Sequence, residues 1–141
     1  ELKLQNRAMS LLDTGVPHLV SEGPSLGREI SSQLRFDPQL SARGTNVTTY
    51  EVLGPKRISA VSFERGVEDF TQACGTGAVA AALEFWRRSD KSLSPDWIDV
   101  QMPGGSIRVF CSPTENPKMQ GGAEVICHGQ IQNLEELLPP S

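Results

Sequence analysis

One run constrains the fold more than any other. Ala78, Val79, Ala80, Ala81, Ala82, Leu83, Phe85 and Trp86 cover every side of a helical wheel, interrupted only by Glu84. A helix that is apolar all round has no face to offer water, so other elements must enclose it. The run falls well short of the roughly 20 residues needed to cross a bilayer, which excludes an integral membrane role. Arg87 and Arg88 follow it, where the negative end of a helix dipole favours cations. A central, buried helix is therefore expected over residues 73–88.

The rest of the chain reads mainly as strands. Leu11-Leu12 and Leu19-Val20 flank Asp13-Thr14-Gly15-Val16-Pro17-His18, a loop between two strand ends, and the opening residues Glu1 to Gln5 alternate like a strand. Asn46–Leu53 and Arg57–Phe63 are rich in Val, Thr, Ile and aromatics and are separated by Gly54-Pro55, which predicts a hairpin. After Pro95 three more strands are expected: Trp97–Met102, Ser106–Cys111 and Ala123–Ile131, the first two joined at Pro103-Gly104-Gly105. Leu26, Ile30 and Leu34 recur every four residues, so a short amphipathic helix is expected there, capped by Ser25 and stopped by Asp37-Pro38. The βαβα alternation of a Rossmann domain is missing. The expected fold is α+β: a curved, mostly antiparallel sheet, a half-barrel, wrapped around a central buried helix, with residues 1–141 as a single domain.

Charge and cysteine content narrow the function classes. Thirteen Lys and Arg against 17 Asp and Glu give a net charge of −4, and no basic run exceeds Arg87-Arg88, so nucleic acid is not an expected partner. Three cysteines, Cys74, Cys111 and Cys127, are an odd number with no CxxC pair, which argues against a disulfide framework and a zinc knuckle. No metal is expected, and a reducing, cytoplasmic location fits best. The chain begins at Glu1 with no signal-peptide pattern, and it reads as a piece of something longer.

The chemistry concentrates between Glu64 and Ala78. This stretch runs from a strand end through a charged loop into the first turn of the buried helix. Cys74 falls where free N–H groups and the helix dipole favour a thiolate. Gly75 and Gly77 clear side chains from the helix entry, so the N–H groups of residues 75–77 can approach an anion such as a carboxylate. A lone cysteine is more often a small buried hydrophobe, but the adjoining glycines and charged loop tip Cys74 towards reactivity. Cys111 and Cys127 lack that context and read as packing residues. Neither GxGxxG nor a Walker lysine is present, which ranks nucleotide binding low.

Several segments together resemble the C-terminal half of diaminopimelate epimerase: Asp13-Thr14-Gly15-Val16-Pro17-His18-Leu19-Val20, Gly44-Thr45-Asn46-Val47, Glu64-Arg65-Gly66-Val67-Glu68, Ala73-Cys74-Gly75-Thr76-Gly77-Ala78, Pro103-Gly104-Gly105, and Gly122-Ala123-Glu124-Val125 with Gly129. They follow the family's order and cover almost the whole chain. The resemblance implies a cofactor-independent epimerase of an amino-acid substrate, diaminopimelate. In it two cysteines from two similar halves face one α-carbon from opposite sides, as inversion by proton transfer requires. Cys74 matches the cysteine of the C-terminal half, and the partner thiol is expected in an N-terminal half of the same enzyme, with a homodimer as an option for assembly. The resemblance also assigns Gly75 and Thr76 as backbone donors to the α-carboxylate, Glu64 and Arg65 as contacts at the reacting end, Asn46 as a further substrate contact, and His18 as a supporting residue.

Each assignment has a structural counterpart. Glu64-Arg65 could be a solvated charge pair, Asn46 could cap a turn, and His18 could bond the backbone. The sequence departs from the family at Val16, where many members carry an asparagine, and at Phe70, where an acidic residue is frequent. Both departures are expected to loosen specificity at the distal end of the substrate. Two other readings stay open: a non-catalytic binding paralogue of the same fold, and a thiol hydrolase with Cys74 as nucleophile and His18 or His128 as base.

Overall fold

The structure, a computed structural model, describes residues 2–4, 7–89 and 94–130. The elements in order are β1 (Leu2–Leu4), β2 (Arg7–Asp13), β3 (Pro17–Glu22), α1 (Arg28–Arg35), β4 (Asn46–Gly54), β5 (Arg57–Glu64), β6 (Asp69–Phe70), α2 (Gly75–Arg88), β7 (Asp96–Met102), β8 (Gly105–Cys111) and β9 (Lys118–Gln120). The strands form one sheet in the order β1-β2-β3-β4-β5-β7-β8-β9, with β6 on the side of β5. Most neighbours are antiparallel, as expected, but β3–β4 and β5–β7 are parallel.

Those two parallel pairs explain where the helices lie. Each is bridged by a helix, α1 between β3 and β4 and α2 between β5 and β7, and such crossovers are almost always right-handed. Both step the same way across the sheet, but β4 and β5 run antiparallel, so the second crossover starts from a strand of opposite direction. A right-handed path then puts α2 on the face opposite α1.

The alternation of side chains follows this division. In β3, Leu19 joins the α1 cluster of Met9, Leu34, Leu40, Val47 and Phe63, while Val20 joins the α2 cluster with Tyr50, Ile58, Ile98, Val100 and Val109. The inner cluster is organised by alanine: Ala78, Ala80, Ala81 and Ala82 are all fully buried, which lets strand backbones come close. Helix α2 touches β2, β3, β4, β5, β7 and β8. Six flat strands would span about 24 Å, against a helix only about 10–12 Å wide, so the sheet curves around α2. The fold is the expected α+β arrangement of a curved sheet around a helix.

Helix α2 departs from its sequence reading in two ways. It is enclosed on one side only, since Thr76, Val79 and Leu83, spaced three and four residues apart, stay half-buried, as does Gly75. And Glu84, the apparent interruption, is fully buried: it accepts from Ser10 Oγ at 2.8 Å and pairs with Arg87 and Arg88. Burial pushes its carboxyl up, but the Arg88, Arg87 and Ser10 hydrogen bonds outweigh this and hold it below the usual range.

Three further expectations are corrected. Ser25 does not cap α1: the helix starts at Arg28 behind Gly27 with no side-chain cap bond, and Ser25 Oγ instead accepts from Gly27 N–H in the preceding turn. The last strand is not residues 123–131. Residues 121–130 are exposed and unpaired, Ile131 lies outside the described residues, and β8 pairs instead with the shorter β9. Among the described residues no strand pairs with β9 on its far side, and Val125 and Ile126 are exposed. Cys127 is consequently exposed rather than packed, whereas Cys111 is buried as expected and its thiol is pushed up to about 12 by burial, helped by Asp96. Glu1 and Gln5 of the expected first strand lie outside the described residues.

Candidate active site

Segments far apart in sequence meet at one edge of the sheet. His18 at the start of β3 is in register with Asn46 at the start of β4, and Val47 is in register with Phe63 near the end of β5. Because β5 runs against β4, the Glu64–Glu68 turn comes back to the same edge, and α2 begins there at Cys74. The Pro103-Gly104-Gly105 turn joins them: Gly104 N–H donates to Gln72 C=O at 2.6 Å, and a side chain on Gly104 would lie 2.9 Å from that oxygen.

A cavity of about 400 Å³ opens at this edge, lined by Thr14, Glu64, Ala73, Cys74, Gly75, Thr76, Val79 and Met119. Cys74 is the N-cap of α2, and its sulfur accepts from Gly77 N–H at 3.4 Å, as a capping side chain does. The first N–H groups of a helix have no partner in the preceding turn, and among the described residues those of Gly75 and Thr76 have none elsewhere. Gly77 is indispensable to this geometry, because a Cβ there would stand 2.2 Å from Ser62 Oγ and 3.2 Å from Cys74 Sγ. Glu64 reaches the cavity with its carboxylate accepting from Thr71 Oγ1.

Behind the cavity runs a buried polar chain. Cys74 Sγ lies 3.5 Å from Thr76 Oγ1, which lies 3.0 Å from His18 Nε2. His18 Nδ1 is 2.9 Å from Thr48 Oγ1, itself 2.9 Å from Ser62 Oγ. Alternation explains the grouping: His18, Thr48 and Ser62 all point to the inner face of their strands, one residue out of phase with Leu19, Val47 and Phe63. Burial pushes the His18 imidazole down to about 4, against a smaller upward pull from Asp13, so the ring is neutral at pH 7.

The sequence-derived residues thus separate. Cys74, Gly75, Thr76 and Glu64 surround one cavity, and His18 connects to Cys74 through Thr76. Asn46 and Arg65 do not line it. The Asn46 amide donates to Pro17 C=O at 3.2 Å and its oxygen accepts from Arg65 N–H at 2.8 Å, while Arg65 Nη1 faces the Arg43 and Gly44 carbonyls at 3.5 Å each. Phe70 packs edge-to-face on Phe63 in the α1 cluster, and it too is absent from the lining. His128 lies on the exposed 121–130 segment. Thr14, Val79 and Met119 were not singled out as site residues, although Thr14 lies in the Asp13–Val20 segment and Val79 in the apolar run. Thr14 Oγ1 donates to Thr76 C=O at 3.0 Å, and Met119 leans over Gly75, where a Cβ would meet its thioether at 3.3 Å. Neither contact has a local sequence signal. Among the described residues no three His, Cys, Asp or Glu side chains group as metal ligands.

Comparison with known proteins shows the family. The family model described as diaminopimelate epimerase matches residues 10–126. The diaminopimelate epimerase of Chlorobaculum tepidum is 33% identical over 124 residues, 85% of this chain and 48% of that protein. That of Thermotoga maritima is 34% identical over 136 residues, 96% of this chain and 51% of that protein. Among solved structures, a phenazine biosynthesis PhzF family protein from Enterococcus faecalis overlays with a TM-score of 0.48 at 14% identity, over 70% of this chain and 35% of that one, a likeness too slight to add to the case. The chain spans about half the length of the curated relatives it matches. It belongs to the diaminopimelate epimerase family.

Proposed function

We propose that these 141 residues form one domain, the C-terminal half of a cofactor-independent epimerase that interconverts LL- and meso-diaminopimelate, and that Cys74 is one of its two catalytic thiols. One thiolate takes the α-proton, leaving a carbanion, and the thiol on the opposite face returns its own proton. Configuration inverts, and the proton deficit passes from one sulfur to the other. The α-carboxylate is held by the Gly75 and Thr76 N–H groups, whose helix-terminal position suits an anion. Glu64 contacts the reacting end from the cavity wall, Asn46 anchors the main chain of Arg65 next to Glu64, and His18 orients the Thr76 hydroxyl. A working thiol pair needs a reducing compartment, consistent with the cytoplasm.

The observation that carries this reading is Cys74 at the mouth of α2, its sulfur beside two unpartnered N–H groups in a cavity that also holds Glu64. Of the other described cysteines, Cys111 is in the core and Cys127 is on the exposed 121–130 segment, so the second thiol belongs to the rest of the enzyme. A hydrolase reading is less well supported, because His18 Nε2 is occupied by Thr76 and Asn46 and reaches Cys74 only through Thr76.

An aziridine analogue of diaminopimelate tests the proposal in the intact protein. One stereoisomer should alkylate Cys74, read as a mass increase on its peptide, with diaminopimelate protecting. Absence of labelling, or labelling that diaminopimelate does not slow, would refute it.

A further inference from the structure

The strongest unassigned feature is a buried arginine behind the cavity. Arg35 is the last residue of α1 and only 8% exposed. Its Nε and Nη2 both donate to Glu68 Oε1, at 3.1 and 2.8 Å. The same oxygen accepts from Gly66 N–H at 3.0 Å, and Glu68 N–H closes the turn onto Glu64 C=O at 2.8 Å. Glu68 sits at φ 58°, a conformation that L side chains adopt only under constraint, and these bonds supply the constraint.

The other side of Arg35 faces the second site segment. Its C=O accepts from Thr45 N–H at 3.1 Å, one residue before Asn46. Gly44 passes so close that an added Cβ would be 1.9 Å from Arg35 Nη1 and 2.6 Å from Arg35 O. One residue therefore grips both segments, which then lock together through Arg65 N–H to Asn46 Oδ1.

We infer that Arg35 is a positioning residue: its side chain fixes the Glu64–Glu68 turn and its main chain fixes the Gly44–Asn46 approach, setting where Glu64 and Arg65 stand relative to Cys74. It does not line the cavity and takes no part in the proton transfer. A planar fork with two donors on one carboxylate, from a guanidinium that is itself buried, is a role that lysine fills poorly. The inference rests on the proposed function for its catalytic consequence but not for its structural one.

Amide hydrogen exchange in the intact protein separates the two. In Arg35→Met, the amides of Arg65 and Glu68 should exchange about tenfold faster, the ratio that corresponds to about 1.4 kcal/mol, while those of Thr45, bonded to the retained Arg35 carbonyl, and of Gly77 and Ala78 in α2 keep their rates. Arg35→Lys should recover part of the loss. Glu68→Gln, a smaller change, should accelerate the same turn if Arg35→Met fails to fold. Unchanged exchange, or equal acceleration throughout, would overturn the inference. With diaminopimelate as substrate, Arg35→Met should raise KM about tenfold and change kcat far less, whereas equal losses in both would contradict positioning. If the wild type does not act on diaminopimelate, the functional reading fails and the exchange data alone decide the role of Arg35.

Discussion

Replacing Gly77 by alanine places a methyl group where the structure leaves no room. The added carbon would stand 2.2 Å from Ser62 Oγ, 3.2 Å from Cys74 Sγ and 3.3 Å from Cys74 Cβ. Ser62 cannot simply turn aside, because it is fully buried and its hydroxyl is tied to Thr48, which is tied to His18. Overpacking of this kind costs about 1–3 kcal/mol, and losing the Ser62–Thr48 bond adds about 1 kcal/mol. Alanine's helix propensity returns at most about 1 kcal/mol. The net expectation is a loss of about 1–3 kcal/mol, arising mainly from Ser62. Ser62→Ala removes the obstructing oxygen at a cost of about 1 kcal/mol for the bond it leaves unmade. Added to Gly77→Ala it should restore stability, with a coupling of about 2–4 kcal/mol, because the overpacking is relieved and the Ser62–Thr48 bond is lost only once. Urea unfolding at constant m-value measures all three variants. A Gly77→Ala midpoint equal to that of the wild type, or a double variant no more stable than Gly77→Ala, would refute this account of the helix entry.

Two other outcomes follow from the same structure. His18 is held near 4 when folded against about 6.5 when unfolded, so the unfolded state binds more protons between these values; its stabilisation is complete above about pH 6.5 and falls by up to about 3 kcal/mol as pH drops toward 4. Denaturation midpoints across that window should show the slope, and His18→Gln should flatten it. Phe70→Ala should cost about 1–2 kcal/mol by losing its contact with Phe63 while leaving the KM for diaminopimelate unchanged; a raised KM would return Phe70 to the substrate.

Local signals made much of the fold legible. Gly54-Pro55 between β-branched runs located the β4–β5 hairpin, and the apolar residues 78–86 required a helix wrapped by strands. The parallel pairings β3–β4 and β5–β7 were not legible, since nothing within either strand says which distant strand it meets. Glu84 read as an interruption because a sequence window does not contain Ser10, 74 residues away. Residues 123–131 carry a strand-like pattern, but a strand also needs a neighbour, and among the described residues none stands beyond β9. The helix-entry end of the candidate site was readable because Cys74, Gly75 and Gly77 fall within four consecutive residues whose pattern is that of a helix start. Met119 and Arg35 act across the fold, over 44 residues to Gly75 and 33 to Glu68, and leave no mark that spacing could reveal.

Deuterium incorporation is the most direct test of the central claim. The intact protein, incubated with LL-diaminopimelate in deuterium oxide, should place deuterium at the α-carbon as it forms the meso isomer, followed by proton NMR. Cys74→Ser should abolish this while the protein stays folded. Absence of exchange in the wild type, or exchange at an undiminished rate in Cys74→Ser, would contradict the assignment of Cys74 as a catalytic thiol.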